Sequence, residues 1–299
     1  MTLQYALVDV FTTTRFHGNP LAIVRVPAAQ RASLAQETKQ KIATEFNLSE
    51  TVFLHEPPTE KPLSAGSVAI DIFTPKCEIP FAGHPTIGTA CYILTQSSTN
   101  SLKELVTKAG AIPITRDSQT GLVGASIPFA YHEHQVPVQS GLVITGSAPV
   151  ISIVKGLSFV LAQLPDLEAL NGVSGALLKD CFTSEHLDEG WNEGPTGTKY
   201  FVDLGRDEQG CRQLRTRMFI GWEDPGTGSA SSALACYLAL KEAKELGTGP
   251  FHYHIVQGVE MGRRNDIYVT VERNESRDQI SDVLLRGTAV LVGEGQIML

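Results

Sequence analysis

The sequence predicts an α+β protein made of two similar lobes, and three observations carry that prediction. Strand signals are short, rich in β-branched residues and bounded by Gly, Pro or Asp. Helical segments interrupt these strands without alternating with them one for one, which disfavours a doubly wound parallel sheet. A segment near residue 78 also returns, without a gap, 145 positions later (78 to 223) in a chain of 299 residues. An offset close to half the length is what duplication of a whole lobe produces.

Taken in order, Tyr5 to Phe11, Leu21 to Val26, Thr51 to His55, Ser67 to Phe73, Gly121 to Ile127, Lys199 to Leu204, Ile267 to Val271 and Ala289 to Val292 read as strands. Helical periodicity marks Arg31 to Phe46, Pro85 to Thr95, Ser158 to Leu164, Ala230 to Glu245 and Ser276 to Leu285. Pro128 to Ser140 holds Pro128, Pro137 and two histidines with no helical period, and serves as the crossing between lobes. The expected N-terminal lobe is therefore 1–128, completed by C-terminal strands in 286–299, and the second lobe is 129–285.

The two copies of the repeat run from Glu78 to Ile93 and from Glu223 to Leu238, identical at Glu78/Glu223, Pro80/Pro225, Gly83/Gly228 and Ala90-Cys91-Tyr92/Ala235-Cys236-Tyr237. Each has an acidic, Pro-containing approach, a Gly, a polar turn residue (His84 or Ser229) and then a helix of small and apolar residues. A helix N-terminus exposes unpaired N–H groups and positive dipole, so each turn is suited to an anion or a developing oxyanion. The bland alternative, tight turns at Gly83 and Gly228 with Ser229 as a cap, suffices for one copy alone. Duplication with polar residues at matching places favours function, with the ligand expected between the turns.

A formal net charge of −8 excludes broad binding to a phosphate backbone, which needs clustered Lys and Arg. No apolar run reaches the ~18 residues of a membrane span, and the first ten residues read as a strand rather than a signal peptide. Five scattered cysteines fit reduced thiols better than a disulfide framework. These features lead to the expectation of a cytoplasmic protein with a small-molecule partner, no nucleic acid and no membrane; a homodimer is the default assembly.

The segments Asp9-Val-Phe-Thr with Gly18-Asn-Pro-Leu-Ala-Ile, Glu45-Phe-Asn-Leu-Ser-Glu-Thr-Val-Phe, Phe73-Thr-Pro with Glu78 and Pro80-Phe-Ala-Gly-His-Pro-Thr-Ile-Gly, Glu223-Asp-Pro-Gly-Thr-Gly-Ser-Ala and Gln257-Gly-Val-Glu-Met-Gly-Arg resemble the phenazine-biosynthesis (PhzF-like) family. The resemblance runs nearly end to end, and five ordered motifs are far more specific than any one. It implies the diaminopimelate epimerase fold: two pseudo-symmetric lobes, each a curved, barrel-like sheet around a central helix, with the active site in the cleft. It further implies an isomerase or epimerase that needs no cofactor and moves a proton on a small acidic or carbonyl-containing metabolite. By motif position the acid is Glu45, with His84 and Asp224 as further catalytic residues. Asn19, Gly83, Gly228 and Ser229 are then the substrate contacts.

Beside that implication, Glu45 ends a predicted helix just before Asn47, where the C-terminal dipole disfavours a negative charge; with partial burial this suits a proton shuttle. Without the motif it would read as a solvated surface acid. His84 would by default be a turn histidine, Asp224 a helix N-terminal charge and Asn19 a turn former. A two-thiol racemase is disfavoured because the turns carry His84 and Ser229 rather than Cys, leaving Cys91 and Cys236 as small core residues. The pairs His132/His134 and His252/His254 put two rings on one strand face, yet lack a metal-site pattern and read as exposed strand histidines, so no metal is expected. Only Ile220-Gly221-Trp222 separate Phe219 from Glu223, where the family commonly has a longer loop, and Trp222 is expected to fill the space. Asp71 and Arg264-Asn265 also depart from the family pattern, which puts the phenazine substrate itself in doubt. A metabolite-binding protein without catalysis, or a cyclase or lyase using the same pocket, are the alternatives.

Overall fold

The computed structural model describes residues 2–58, 66–96, 102–176 and 181–299. Strands dominate it, and the chain divides into two units, Met1–Ile127 with Arg286–Leu299 and Pro128–Leu285.

The first unit contains β1 (Thr2–Val10), β2 (Asn19–Val26), α1 (Gln36–Phe46), β3 (Thr51–His55), β4 (Gly66–Phe73), β5 (Glu78–Ile79), α2 (Gly83–Gln96), β6 (Leu102–Thr107), β7 (Gly110–Arg116) and β8 (Val123–Ser126). β1 and β2 are antiparallel, β2 and β3 parallel, and β3 and β4 antiparallel. β4 then pairs with β5 antiparallel and with β6 parallel, and β6–β7–β8 continue antiparallel. The second unit contains β9 (His132–Glu133), β10 (Val138–Gln139), β11 (Ser147–Ala148), β12 (Val150–Val154), β13 (Leu157–Gln163), α3 (Leu167–Gly172), β14 (Thr196–Arg206), β15 (Arg212–Phe219), β16 (Glu223–Asp224), α4 (Gly228–Lys241), β17 (Phe251–Gln257) and β18 (Asn265–Arg273). After β19 (Ile280–Gly287) the chain ends in β20 (Ala289–Met298), antiparallel to β1.

The order of pairing senses recurs in the second unit. β12–β13 is antiparallel, β13–β14 parallel, β14–β15 antiparallel, β15–β16 antiparallel, β15–β17 parallel and β17–β18 antiparallel. Register recurs as well. Phe73 pairs with both Thr51 and Glu78, and Phe219 pairs with both Thr198 and Glu223. The Glu78/Glu223 alignment found in the sequence thus extends through three strands, which equates Glu50 with Gly197 and Val52 with Lys199.

Each unit has one helix that is buried nearly all round, α2 in the first and α4 in the second. Their small residues allow this, since a helix surrounded on all sides cannot present a polar stripe. At Gly88 of α2 even one added carbon would lie 2.6 Å from Val10 Cγ2 and 2.7 Å from Leu21 Cδ2, so β1 and β2 press directly on the helix backbone. A separate cluster under α1 joins Leu3, Val24, Val26, Leu34, Ile42, Ala43, Phe53 and Phe73. Phe53 and Phe73 meet edge to face at 5.3 Å, a favoured aromatic geometry.

Two predicted helices are strands. Ser158 to Leu164 falls in β13, whose interior residues are all buried between β12 and β14; a short apolar run has no periodicity that separates strand from buried helix. Ser276 to Leu285 opens with a turn in which Asn274 Oδ1 accepts from the Asp278 and Gln279 N–H groups, followed by β19 with alternating burial. The predicted helix from Arg31 begins only at Gln36, because Ser33 Oγ donates to Gln30 O in a local turn that competes with helix entry.

The fit at α2 yields a test of the packing. Gly88→Val should lower the unfolding free energy by about 2 kcal/mol or more through overpacking against Val10 and Leu21, as read by urea denaturation. An unchanged midpoint would contradict the close approach.

Candidate active site

In the first unit, α1 is pinned from below before it delivers the chain to β3. Lys39 Nζ donates to Asp71 Oδ2 at 2.6 Å, and His55 Nε2 meets the same oxygen at 2.8 Å. Burial by itself would push the Asp71 carboxyl up, but the hydrogen bonds from His55 and Lys39 overcome it and bring the group down to about 2. Gln40 and Thr44 also donate to the carbonyls of Thr74 and Pro75, at 3.0 and 2.8 Å. The helix ends at Asn47, whose left-handed φ of 50° turns the chain sharply. Leu48-Ser49-Glu50 then enter β3.

That turn decides which acid is buried. Glu45, the expected shuttle, lies exposed on the last turn of α1, so the partial burial expected for it does not occur: its helix face is turned away from the core that Ile42 and Ala43 enter. The carboxylate that meets His84 is Glu50, with Oε2 3.2 Å from His84 Nδ1. Glu50 keeps 19% of its side-chain exposure, yet Oε2 itself is sealed and makes no hydrogen bond of good geometry. Desolvation pushes this carboxyl up to about 7, with the Ser49 hydroxyl only partly offsetting it. His84 is buried on the first turn of α2, beside Gly83. Asn19 is buried at the start of β2, paired with Val10.

The second unit gathers a different set. Asp224 closes β16, and its Oδ2 accepts from Thr227 Oγ1, with Gly228 and Ser229 following on the first turn of α4. The repeat's leading acids are anchors in both units. Glu78 Oε2 accepts from Gln36 Nε2 and Lys108 Nζ at 2.9 Å each, and Glu223 takes a two-pronged contact from Arg217 at 2.7 and 2.8 Å. Trp222 is 59% exposed at the tip of the hairpin before Glu223. Its shortened loop closes on itself, Ile220 N donating to Trp222 O at 2.9 Å. Cys91 and Cys236 are buried inside α2 and α4, and burial pushes both thiols up, Cys91 to about 12. Thiols so far from ionising do not serve as bases near neutrality.

The paired histidines are not exposed strand residues, because the strands they sit on are covered. His134 is 4% exposed, and His132, His134 and Asp188 bring their ligand atoms within 4.8 Å of one another. Hydrogen bonding accounts for the cluster. The Asp188 N–H donates to His134 Nδ1 at 2.9 Å, leaving the proton on Nε2, which meets Ser152 Oγ at 2.9 Å. His132 Nε2 is 2.8 Å from Asp188 Oδ2 and its ring stacks on Trp191 at 4.5 Å. Both nitrogens of His134 are thus committed within the protein, and the cluster ties the segment around Asp188 to β9. His254 is similarly engaged by Gln213 and Asp266.

Sequence reasoning missed Glu50 and the buried Lys199. A polar residue one step before a strand whose counterpart in the other half is Gly197 was a usable signal for Glu50, as was a lysine among the apolar residues of Thr198-Lys-Tyr-Phe-Val for Lys199.

The family model of the phenazine biosynthesis-like protein matches residues 8–295. An uncharacterized isomerase of Pasteurella multocida is 32% identical, the match covering 98% of this chain and 93% of that protein. The trans-2,3-dihydro-3-hydroxyanthranilate isomerase of Pseudomonas chlororaphis is also 32% identical, over 99% of both chains. Among solved structures, a PhzF-family protein of Bacillus anthracis superposes with a TM-score of 0.73 over 100% of both chains at 19% identity. A hydroxyproline epimerase of Agrobacterium vitis gives 0.59 at 14% identity, covering 99% of this chain and 92% of that one. These two superpositions speak to the fold.

The raised Glu50 carboxyl has a stability signature. A group whose folded value (about 7) lies above its unfolded value (4.5) contributes stability that is complete below pH 4.5 and is lost as pH rises through 7. Glu50→Gln should therefore match the wild type near pH 4 and exceed it by about 3 kcal/mol at most near pH 8. Denaturant titrations at the two pH values check this, and a difference independent of pH would contradict it.

Proposed function

Because the chain belongs to the phenazine biosynthesis-like protein family, whose matched relatives are named isomerases, we propose that it moves a proton on a small carboxylate- or carbonyl-bearing metabolite, with Glu50 as the shuttle. The observation that carries this reading is the Glu50 carboxyl 3.2 Å from His84 Nδ1, one oxygen sealed while the side chain keeps 19% exposure. An isomerisation that shifts a double bond removes a proton from one carbon and returns it to another, so the group needs nearly equal affinity for both states. A carboxyl brought to about 7 has that property near neutrality, whereas an ordinary one is too weak a base.

His84 is the proposed proton partner of Glu50, 3.2 Å away, since imidazole donates and accepts near neutral pH. Gly83 and Gly228 open the buried helices, and their turns supply N–H groups for oxyanion charge. Asp224, Ser229 and Asn19 act as polar substrate contacts. Each unit is proposed to be a curved sheet wrapped on its own helix, so that each turn is held rigid by a packed core. The relative from Pseudomonas chlororaphis makes trans-2,3-dihydro-3-hydroxyanthranilate the first compound to try, a carboxylate with the required C–H acid.

In deuterium oxide, wild-type protein should place deuterium at a carbon of this compound during turnover, seen by proton NMR. Glu50→Gln should slow incorporation by about a hundredfold or more, while Glu45→Gln should retain it. Incorporation lost in Glu45→Gln and kept in Glu50→Gln would reverse the assignment.

A further inference from the structure

Lys199 lies in the middle of β14 with none of its surface exposed. Its ammonium donates to Gln257 Oε1 at 2.6 Å and to Ser231 Oγ at 3.0 Å. Burying a cation is costly, and burial pushes this one down to about 7, the charge of Asp224 restoring only part of the loss. The fold does not demand it. At the equivalent register of the first unit stands Val52, equally buried and apolar.

The contacts beyond Lys199 have a fixed polarity. Gln257 Oε1 accepts from Lys199 and, at 3.3 Å, from the Thr227 N–H, so Nε2 must face the other way. There it donates to the Asp224 carbonyl at 2.7 Å and to Thr227 Oγ1 at 3.1 Å. Having accepted that bond, the Thr227 hydroxyl is left to donate to Asp224 Oδ2. The Thr227 N–H and the Asp224 carbonyl favour the same amide orientation, and Lys199 adds a charge-assisted contact that reinforces it. The matching positions in the first unit are Val52, Thr107, Ala82 and Ile79, which cannot form such a chain.

We propose that Lys199, Gln257 and Thr227 form a buried, one-directional hydrogen-bond relay that orients the Asp224 carboxylate at the mouth of α4. Lys199 is a positioning residue: it is sealed from solvent and acts on substrate only through Asp224. The relay's importance for turnover rests on the proposed isomerase reading, whereas its effect on Asp224 does not.

The test pairs a spectroscopic readout with turnover. The Asp224 carboxyl carbon is followed by NMR in 13C-aspartate-labelled protein, assigned with Asp224→Asn. Three variants break the relay: Thr227→Val, Gln257→Glu, which keeps an acceptor for Lys199 but removes both donors, and Lys199→Met/Gln257→Leu, which strands no buried partner. Each should displace the Asp224 resonance, and Thr227→Ser, which keeps the hydroxyl, should restore it. With trans-2,3-dihydro-3-hydroxyanthranilate, kcat should fall about tenfold in the broken variants with KM within about twofold of wild type. A folded double variant with wild-type resonance and kcat would overturn the relay, and so would Thr227→Val behaving like Thr227→Ser. If the double variant fails to fold, the Thr227 pair decides. Wild-type protein that exchanges no proton on this compound would count against the proposed reaction only, and the Asp224 resonance would still decide the relay.

Discussion

The register that sets Thr51, Phe73 and Glu78 side by side across three strands is the constraint on which the first unit depends. Side chains alternate faces along a strand, so a slip of one residue would exchange core for surface along β4 and swap side chains between the two packed faces of β3. Held in that register, Val52, Phe53 and Phe73 are buried, and Glu50 is left at the strand mouth against His84. The same register in the second unit, through Thr198, Phe219 and Glu223, places Lys199 inward.

From one scaffold the two units have diverged in complementary ways. The first has Glu50 and His84 where the second has Gly197 and Ser229, and at Gly197 an added carbon would lie 2.3 Å from Met218 Cε. A side chain there would require Met218 to move aside, with the Phe219 carbonyl next at 3.1 Å. The second has Lys199, Gln257, Thr227 and Asp224 where the first has Val52, Thr107, Ala82 and Ile79. An acid desolvated to about 7 sits in one unit and a cation desolvated to about 7 in the other. Charge of opposite sign has been buried at different points of a duplicated frame, so the two units are not chemically equivalent.

Several features were legible in the sequence because local chemistry determines them. The Gly-rich turns opening α2 and α4, the helix stop at Asn47 and the unreactive placement of Cys91 and Cys236 follow from backbone freedom and helical spacing. Others were not. Ser158 to Leu164 carries an apolar run that helix and strand accommodate equally until β14 pairs with it. The histidines at 132 and 134 look exposed until the segment bearing Asp188 and Trp191 covers them.

By itself the sequence determined the duplicated α+β frame, its family and the two turns, since repeats and turn chemistry are properties of neighbours along the chain. Only the tertiary structure decided which glutamate is buried. Glu45 and Glu50 lie in one short segment, and nothing local separates them. The difference arises because α1 is clamped by Lys39, Asp71 and His55, which turns Glu45 to solvent, while the β3 register carries Glu50 under the start of α2. Burial, and with it the proton affinity of a carboxyl, is a property of what the fold brings around a residue rather than of the residue's neighbours in sequence.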